Sequence, residues 1–208
     1  MTTSSDDSRT VVTIAHAPLQ QVTPDMLAWW YGHIPGTMQY AGETWPRYLV
    51  WHPLDHITYE LTTPGVVGAG SQLRITEALG RDLDKLVDLQ LTVETIDNEA
   101  AIISKRVLGS SIIRLENEFT PTSAGCRYLT RLTVGDTTTL GRLCFNSLAH
   151  KHAFPPPKLA AWIRHHVEEI GNWRTSSPTS TTTEPTTNPD RPHSTGAPPY
   201  ETSLPSGS

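Results

Sequence analysis

Between residues 73 and 134 the chain consists of one short, strand-like segment after another, and this pattern constrains the fold more than any other feature. Side chains of a β-strand point to opposite faces in turn, so apolar residues at every second position indicate a strand with one buried face. The segments are residues 73–79, 89–94, 100–107, 113–119 and 128–134. Turn residues separate them, which predicts consecutive strands paired in an antiparallel sheet.

The parity within each segment predicts which polar side chains face the core. Glu77 shares the apolar side of its strand, and Asn117 lies in the inward row of a later one. Burying an ionised carboxylate is costly unless it is paired or bound to a metal, so Glu77 is a metal ligand, the partner of a cation such as Arg106, or a residue at a strand end where it reaches water. Tyr128 also has inward parity, and a buried phenol needs a hydrogen-bond partner in the core or on a ligand.

Helical patterns flank the predicted sheet. Thr23 and Pro24 have the residue types of an N-cap and a first helical position. A long terminal helix is predicted at 158–172, and its apolar residues should lie along the sheet. This row comprises Leu159, Trp162, Ile163, His166, Val167, Ile170 and Trp173. The predicted fold is therefore α+β, a curved antiparallel sheet around one C-terminal helix, which is the helix-grip architecture of START and Bet v 1-like proteins and leaves a cavity.

Composition changes sharply at both ends of the chain. The first ten residues are polar, and residues 175–208 are rich in Ser, Thr, Pro and Gly. We expect disorder at 1–10 and 175–208, and one domain at 11–174, because such segments bury too little apolar surface to offset the entropy of ordering. Between 32 and 47, repeated Gly and Pro residues predict an irregular segment that could cover a pocket.

Charge and cysteine content exclude several classes of function. The net charge is −5 and no long basic run occurs, which argues against a nucleic-acid partner. No apolar stretch reaches the length of a membrane span, and the N-terminus lacks the pattern of a signal peptide. We therefore expect a cytoplasmic protein in which Cys126 and Cys144 are reduced. A homodimer is left open.

Histidine and carboxylate residues suggest a metal centre. His165 and Glu169 are four residues apart on the predicted helix, so they project from one face. Upstream, a Trp-His-Pro-Leu-Asp-His segment offers His52 and His56 around a proline-fixed turn, and parity does not decide which imidazole faces inward. Surface pairing or structural roles for these side chains remain an alternative.

The order of these elements resembles the diacetylphloroglucinol hydrolase family, including phloretin-hydrolase-like enzymes. The resemblance spans most of residues 20–173 and rests on the Trp29-Trp30-Tyr31 run, the Tyr48 to His56 segment, the Glu77 strand and the terminal helix. It implies a helix-grip fold and a zinc-dependent hydrolysis of the carbon–carbon bond between an acyl group and a phenolic ring.

Carried over by position, the resemblance implies zinc ligands at His56, Glu77, His165 and Glu169, with Tyr48 as a phenol near the metal. Zinc would polarise the ketone and activate a water molecule. Asn117 and Tyr128 join Tyr48 as candidate catalytic residues, although Asn117 stands where a pocket histidine is expected and cannot act as a general base. The alternatives are a non-catalytic binder, or a metal-free cyclase, of aromatic or polyketide ligands.

Overall fold

The structure, a computed structural model, describes residues 1–6 and 9–176, with side chains as far as residue 172. Its strands are β1 (Thr2–Ser5), β2 (Thr10–Ala15), β3 (Leu19–Gln20), β4 (Thr37–Tyr40), β5 (Glu43–Pro46), β6 (His56–Leu61), β7 (Gln72–Ala78), β8 (Leu86–Ile96), β9 (Ala100–Val107), β10 (Ser110–Thr122) and β11 (Gly125–Val134). Its helices of at least five α-helical residues are α1 (Pro24–His33), α2 (Arg47–Trp51) and α3 (Pro156–Ser176).

One large antiparallel sheet organises the chain, in the order β1-β2-β11-β10-β9-β8-β7-β6. From β6 to β11 the strands pair in sequence order, as the segment pattern predicted. Thr130 and Asn117 are direct partners on β11 and β10, and both are buried. Between His56 and Thr58 the pairing of β6 with β7 shifts by one residue, which is a β-bulge.

Two helices near the ends of the domain lie beside this sheet. In α1, the Thr23 side chain accepts a hydrogen bond from the Met26 backbone N–H at 3.2 Å, so the predicted N-cap is present. Helix α3 begins at Pro156, and short helical turns at Gly141–Phe145, Asn146–Leu148 and Ala149–Ala153 precede it. Among the described residues, no helix has both the length and the apolar character of a membrane span.

Three predictions about these regions need correction. Disorder at 1–10 is wrong for Thr2–Ser5, which pairs with β2 as an edge strand. The segment at 32–47 is not irregular, since β4 and β5 form a hairpin within it. Val167 does not join the buried row of the terminal helix, because half of its side chain is exposed. The predicted tail at 175–208 lies outside the described residues beyond Ser176, where α3 ends.

Candidate metal centre and cavity

Sheet and helix bring the four predicted ligands together. His56 begins β6 directly opposite Glu77 on β7, while His165 and Glu169 are one helical turn apart on α3. His56 Nε2 lies 3.9 Å from Glu77 Oε1 and 3.5 Å from Glu169 Oε1. His165 Nε2 lies 3.8 Å from Glu77 Oε2. All four side chains are buried, so two imidazoles and two carboxyl groups lie close together away from bulk solvent.

Hydrogen bonds fix the orientation of both imidazole rings. His56 Nδ1 lies 2.6 Å from the Tyr48 carbonyl oxygen, and His165 Nδ1 lies 3.0 Å from Asp55 Oδ2. Both partners are acceptors, so each Nδ1 carries the proton and each Nε2 presents a lone pair. Burial lowers the pKa of His56, although the charge of Glu77 acts in the opposite direction. The His56 ring is therefore neutral. Neither Nε2 atom has a hydrogen-bond partner among the described residues.

His52 is oriented differently from His56. The Asp55 backbone N–H donates to His52 Nδ1 at 3.3 Å, which occupies the lone pair of that nitrogen. The pKa of His52 is lowered by burial and by the neighbouring His165 and His56. In the neutral ring the proton must therefore lie on Nε2, which is 3.6 Å from Glu168 Oε2. Of the two imidazoles that sequence parity left open, His56 is the one whose Nε2 presents a lone pair in the neutral ring.

Asp55 has a role that the sequence did not reveal. Besides the bond from His165, its carboxylate accepts hydrogen bonds from the backbone N–H groups of Gly80 and Arg81 at 2.9 and 3.2 Å. Burial acts to raise the pKa of Asp55, but the bonds from Gly80 and His165 outweigh it and the pKa is lowered. An ionised Asp55 behind His165 is the arrangement that orients metal-binding histidines. Its position inside the Trp-His-Pro-Leu-Asp-His segment was the only available signal.

The two carboxylates differ in their surroundings. Tyr48 donates a hydrogen bond of 2.6 Å to Glu77 Oε1, and burial together with the Glu77 charge raises the pKa of Tyr48 well above its ordinary value. Burial also raises the pKa of Glu169 to about 8, with His165 lowering it and Glu77 raising it. Glu77 is thus paired with a phenol rather than with Arg106, which contacts Glu94 at 3.6 Å.

These donors fit a divalent metal ion. Two imidazole nitrogens without hydrogen-bond partners and two carboxyl groups form a donor set that suits Zn²⁺. Three of the four predicted ligands, His56, Glu77 and His165, offer ligand atoms within 4.8 Å of one another. Glu169 belongs to a second such group with His165 and His166, and His165 forms a third with His52 and Asp55. The residues implied by the family resemblance thus lie in adjoining groups that share His165, while zinc itself stays a prediction.

An apolar cavity adjoins the cluster, between the sheet and α3. Its volume is about 80 Å³, which is enough for more than one water molecule. Glu77, Glu169 and Tyr48 line one part of its wall, and Trp51 and Trp162 line others. Most of the remaining lining residues are aliphatic. A molecule in the cavity would contact the carboxylates of the candidate metal centre.

Other predicted site residues occupy distinct positions around this cavity. Asn117 lines it, but Tyr128 does not; its hydroxyl pairs with that of Tyr31, which does. Burial raises the pKa of both phenols well above the ordinary value. His166, which the sequence placed in the apolar row of the terminal helix, also reaches the cavity wall. Its Nε2 lies 3.8 Å from Glu169 Oε2.

Comparison with known proteins identifies the fold only. No protein-family model and no curated protein match the sequence. Among solved structures, ginseng major latex-like protein 151 from Panax ginseng is similar over 80% of this chain and 95% of its own, with a TM-score of 0.50 and 7% identity. Protein SA2116 of Staphylococcus aureus, of unknown function, has a TM-score of 0.49 and 12% identity, over 81% of this chain and 95% of its own. Together with the sheet topology, the likeness to the ginseng protein confirms that this chain has the helix-grip fold.

Proposed function

We propose that the protein binds a small, largely apolar ligand, of aromatic or polyketide type, in the cavity between the sheet and α3. The observation that carries the proposal is the wall of this cavity, where aliphatic and aromatic side chains surround two buried carboxylates, Glu77 and Glu169. Apolar cavities with a few convergent polar groups are the usual form of small-molecule sites. The cavity volume favours a ligand with one aromatic ring over a larger polycyclic one.

We also propose that zinc is held beside this ligand by His56, Glu77, His165 and Glu169. The two imidazole nitrogens are buried without hydrogen-bond partners beside two buried carboxyl groups, and a divalent cation would give both nitrogens a partner and balance the carboxylate charge. When bound, zinc polarises carbonyl oxygens and lowers the pKa of a bound water. The Tyr48 carbonyl and Asp55 fix the two imidazoles for this purpose.

Ligand binding can be tested by filling the cavity. Ala101 lines it, whereas its neighbour Ala100 on β9 does not. Ala101→Leu adds three carbon atoms to the cavity and should weaken the binding of acetylphloroglucinol and similar one-ring ligands at least tenfold, while Ala100→Leu should not. Quenching of tryptophan fluorescence provides the measurement, since Trp51 and Trp162 line the cavity. Equal affinities in the wild type and both variants would place the ligand elsewhere.

A second candidate function is the hydrolysis of acylated phenols or β-diketones, as the family resemblance implies. The contact of Tyr48 with Glu77 at the cavity wall favours it. Such a reaction consumes one water: the bond between the acyl carbon and the ring breaks, the acyl group becomes a carboxylic acid and the ring carbon takes a proton. Because the pKa of Tyr48 is raised, its phenol stays protonated, and transfer of its proton to a ligand would require the hydrogen bond to Glu77 to break first.

Acid release separates the enzyme from the binder. Zinc-loaded protein would be incubated with monoacyl and diacyl phloroglucinols and simple β-diketones, and the carboxylic acid quantified. Release that disappears in His165→Ala supports the hydrolase. Tight binding without acid release across the panel supports the non-catalytic binder, and no binding at all would contradict the proposed ligand class.

A further inference from the structure

Away from the candidate metal centre, a row of three hydrogen-bonded polar side chains runs from His16, the residue after β2, across the sheet to the cavity. His16 Nε2 lies 3.0 Å from Thr130 Oγ1, and the Thr130 hydroxyl donates to Asn117 Oδ1 at 3.0 Å. Thr130 is fully buried and Asn117 is 5% exposed. Asn117 lines the cavity, so this chain ends at the ligand space.

The hydrogen bonds in this chain have one direction. A hydroxyl has a single proton, and Thr130 gives it to Asn117, so Thr130 must accept the proton of His16 Nε2. Burial lowers the pKa of His16 to about 4, and the neutral ring therefore carries that proton on Nε2. The carboxamide of Asn117 is fixed with its oxygen towards Thr130, which leaves its NH₂ group to point away from β11.

No hydrogen bond joins this NH₂ group to another described residue, and its nitrogen is not among the fully buried atoms that lack a partner, so it stays accessible from the cavity that Asn117 lines. An acceptor on a ligand in the cavity would satisfy this donor. Hydroxyl and imidazole groups could offer a ligand either a donor or an acceptor, but an amide nitrogen can only donate. The chemistry required of the ligand at this position is therefore an oxygen acceptor.

Building on the proposed ligand-binding function, we infer that Asn117 is a specificity residue that selects ligands with a carbonyl or phenolate oxygen, and that Thr130 and His16 are its positioning residues. Asn117 is not a proton-transfer group. A one-ring aromatic ketone meets these requirements, since its ring matches the aliphatic wall and its oxygen matches the amide.

Two ligands of nearly identical shape test this inference. Acetophenone has a carbonyl oxygen where α-methylstyrene has a CH₂ group. Their dissociation constants would be measured by ligand-observed NMR in chelator-treated protein, so that metal does not contribute. The solvation free energy of each free ligand is the same in every measurement. Comparing the ratio of the two dissociation constants between wild type and variant therefore isolates the contribution of the amide to ligand preference. We expect Asn117→Leu to reduce the preference for the ketone about tenfold while leaving α-methylstyrene affinity within about threefold.

Thr130→Val provides a second measurement that keeps the amide but removes the group that orients it, and it should reduce the same ratio by several fold. Thr133→Val, on the opposite face of β11, is the matched control and should leave the ratio unchanged. If Asn117→Leu leaves the ratio unchanged, the inference is overturned, but the proposed ligand-binding function is not. If Asn117→Leu does not fold, an unchanged ratio in Thr130→Val has the same consequence. Failure of the wild type to bind either ligand contradicts both.

Discussion

Zinc should stabilise this protein by a predictable amount, and only through the four convergent side chains. A ligand that binds the folded state at one hundred times its dissociation constant raises the free energy of unfolding by about 2.7 kcal/mol. In a domain of this size each kcal/mol raises the melting temperature by about 2–4 °C, so zinc should raise it by about 5–11 °C. His56→Ala should abolish this increase, because it removes one of the two imidazole nitrogens with free lone pairs.

Thermal unfolding followed by fluorescence, with elemental analysis of the same samples, measures this effect. The expected stoichiometry is about one zinc per chain. His52→Ala is the control, since the His52 ring presents an N–H group and its variant should keep the zinc response. Protein that neither contains nor takes up a transition metal would refute the proposed metal centre. Loss of zinc in His52→Ala but not in His56→Ala would show that the assignment of the two imidazoles is wrong.

Four further predictions concern the surroundings of the site. Asp55→Asn should weaken zinc affinity about 10–100-fold because His165 loses the hydrogen bond that orients it, whereas Asp88→Asn at an exposed ion pair should not. Competition with a zinc-binding dye measures both affinities, and an equal loss of affinity in the two variants would contradict the role of Asp55. Tyr48→Phe should keep zinc bound yet slow any acid release about a hundredfold, and an unchanged rate would remove Tyr48 from the reaction. Because the pKa of His16 is lowered from 6.5 to about 4, the unfolded chain binds more protons than the folded protein between these pH values. The free energy of unfolding should therefore fall as pH decreases from 6.5 towards 4. Urea unfolding of His16→Gln should show a weaker dependence of this free energy on pH. Deleting 177–208 should change the melting temperature by less than a few degrees, since this segment is rich in Ser, Thr and Pro, and a larger decrease would mean that it packs on the domain.

Much of the sheet could be predicted because alternation reports directly which face of a strand is buried. Asn117 and Tyr128 are buried as their parity required, and Glu77 faces the cavity. The pattern fails where pairing does not depend on burial. Thr2–Ser5 is exposed throughout and forms its strand through backbone hydrogen bonds with β2, which polar residues can make as well as apolar ones.

For the candidate site, the sequence predicted several side chains that lie near one another but not how they are arranged. Spacing on one helix suffices to pair His165 with Glu169, but the choice between His52 and His56 depends on which backbone groups meet each ring. Asp55 acts through contacts with Gly80 and Arg81, 25 and 26 residues away along the chain. Such contacts form only in the tertiary structure, so local sequence patterns do not predict them.

The bulge at the start of β6 determines which residue of the present sequence lies across from Glu77 on the inner face of the sheet. Beyond it, Thr58 pairs with Thr76 and Tyr59 with Ile75; continuing that register would place Ile57, not His56, across from Glu77. Instead the extra residue turns Ile57 outwards, where it is 43% exposed, and returns His56 to the inner face. Deleting Ile57 would let β6 continue in regular register, and His56 would then occupy the inner position across from Glu77 without a bulge. An engineer moving this centre to another sheet must therefore keep the bulge together with its extra residue, or leave out both.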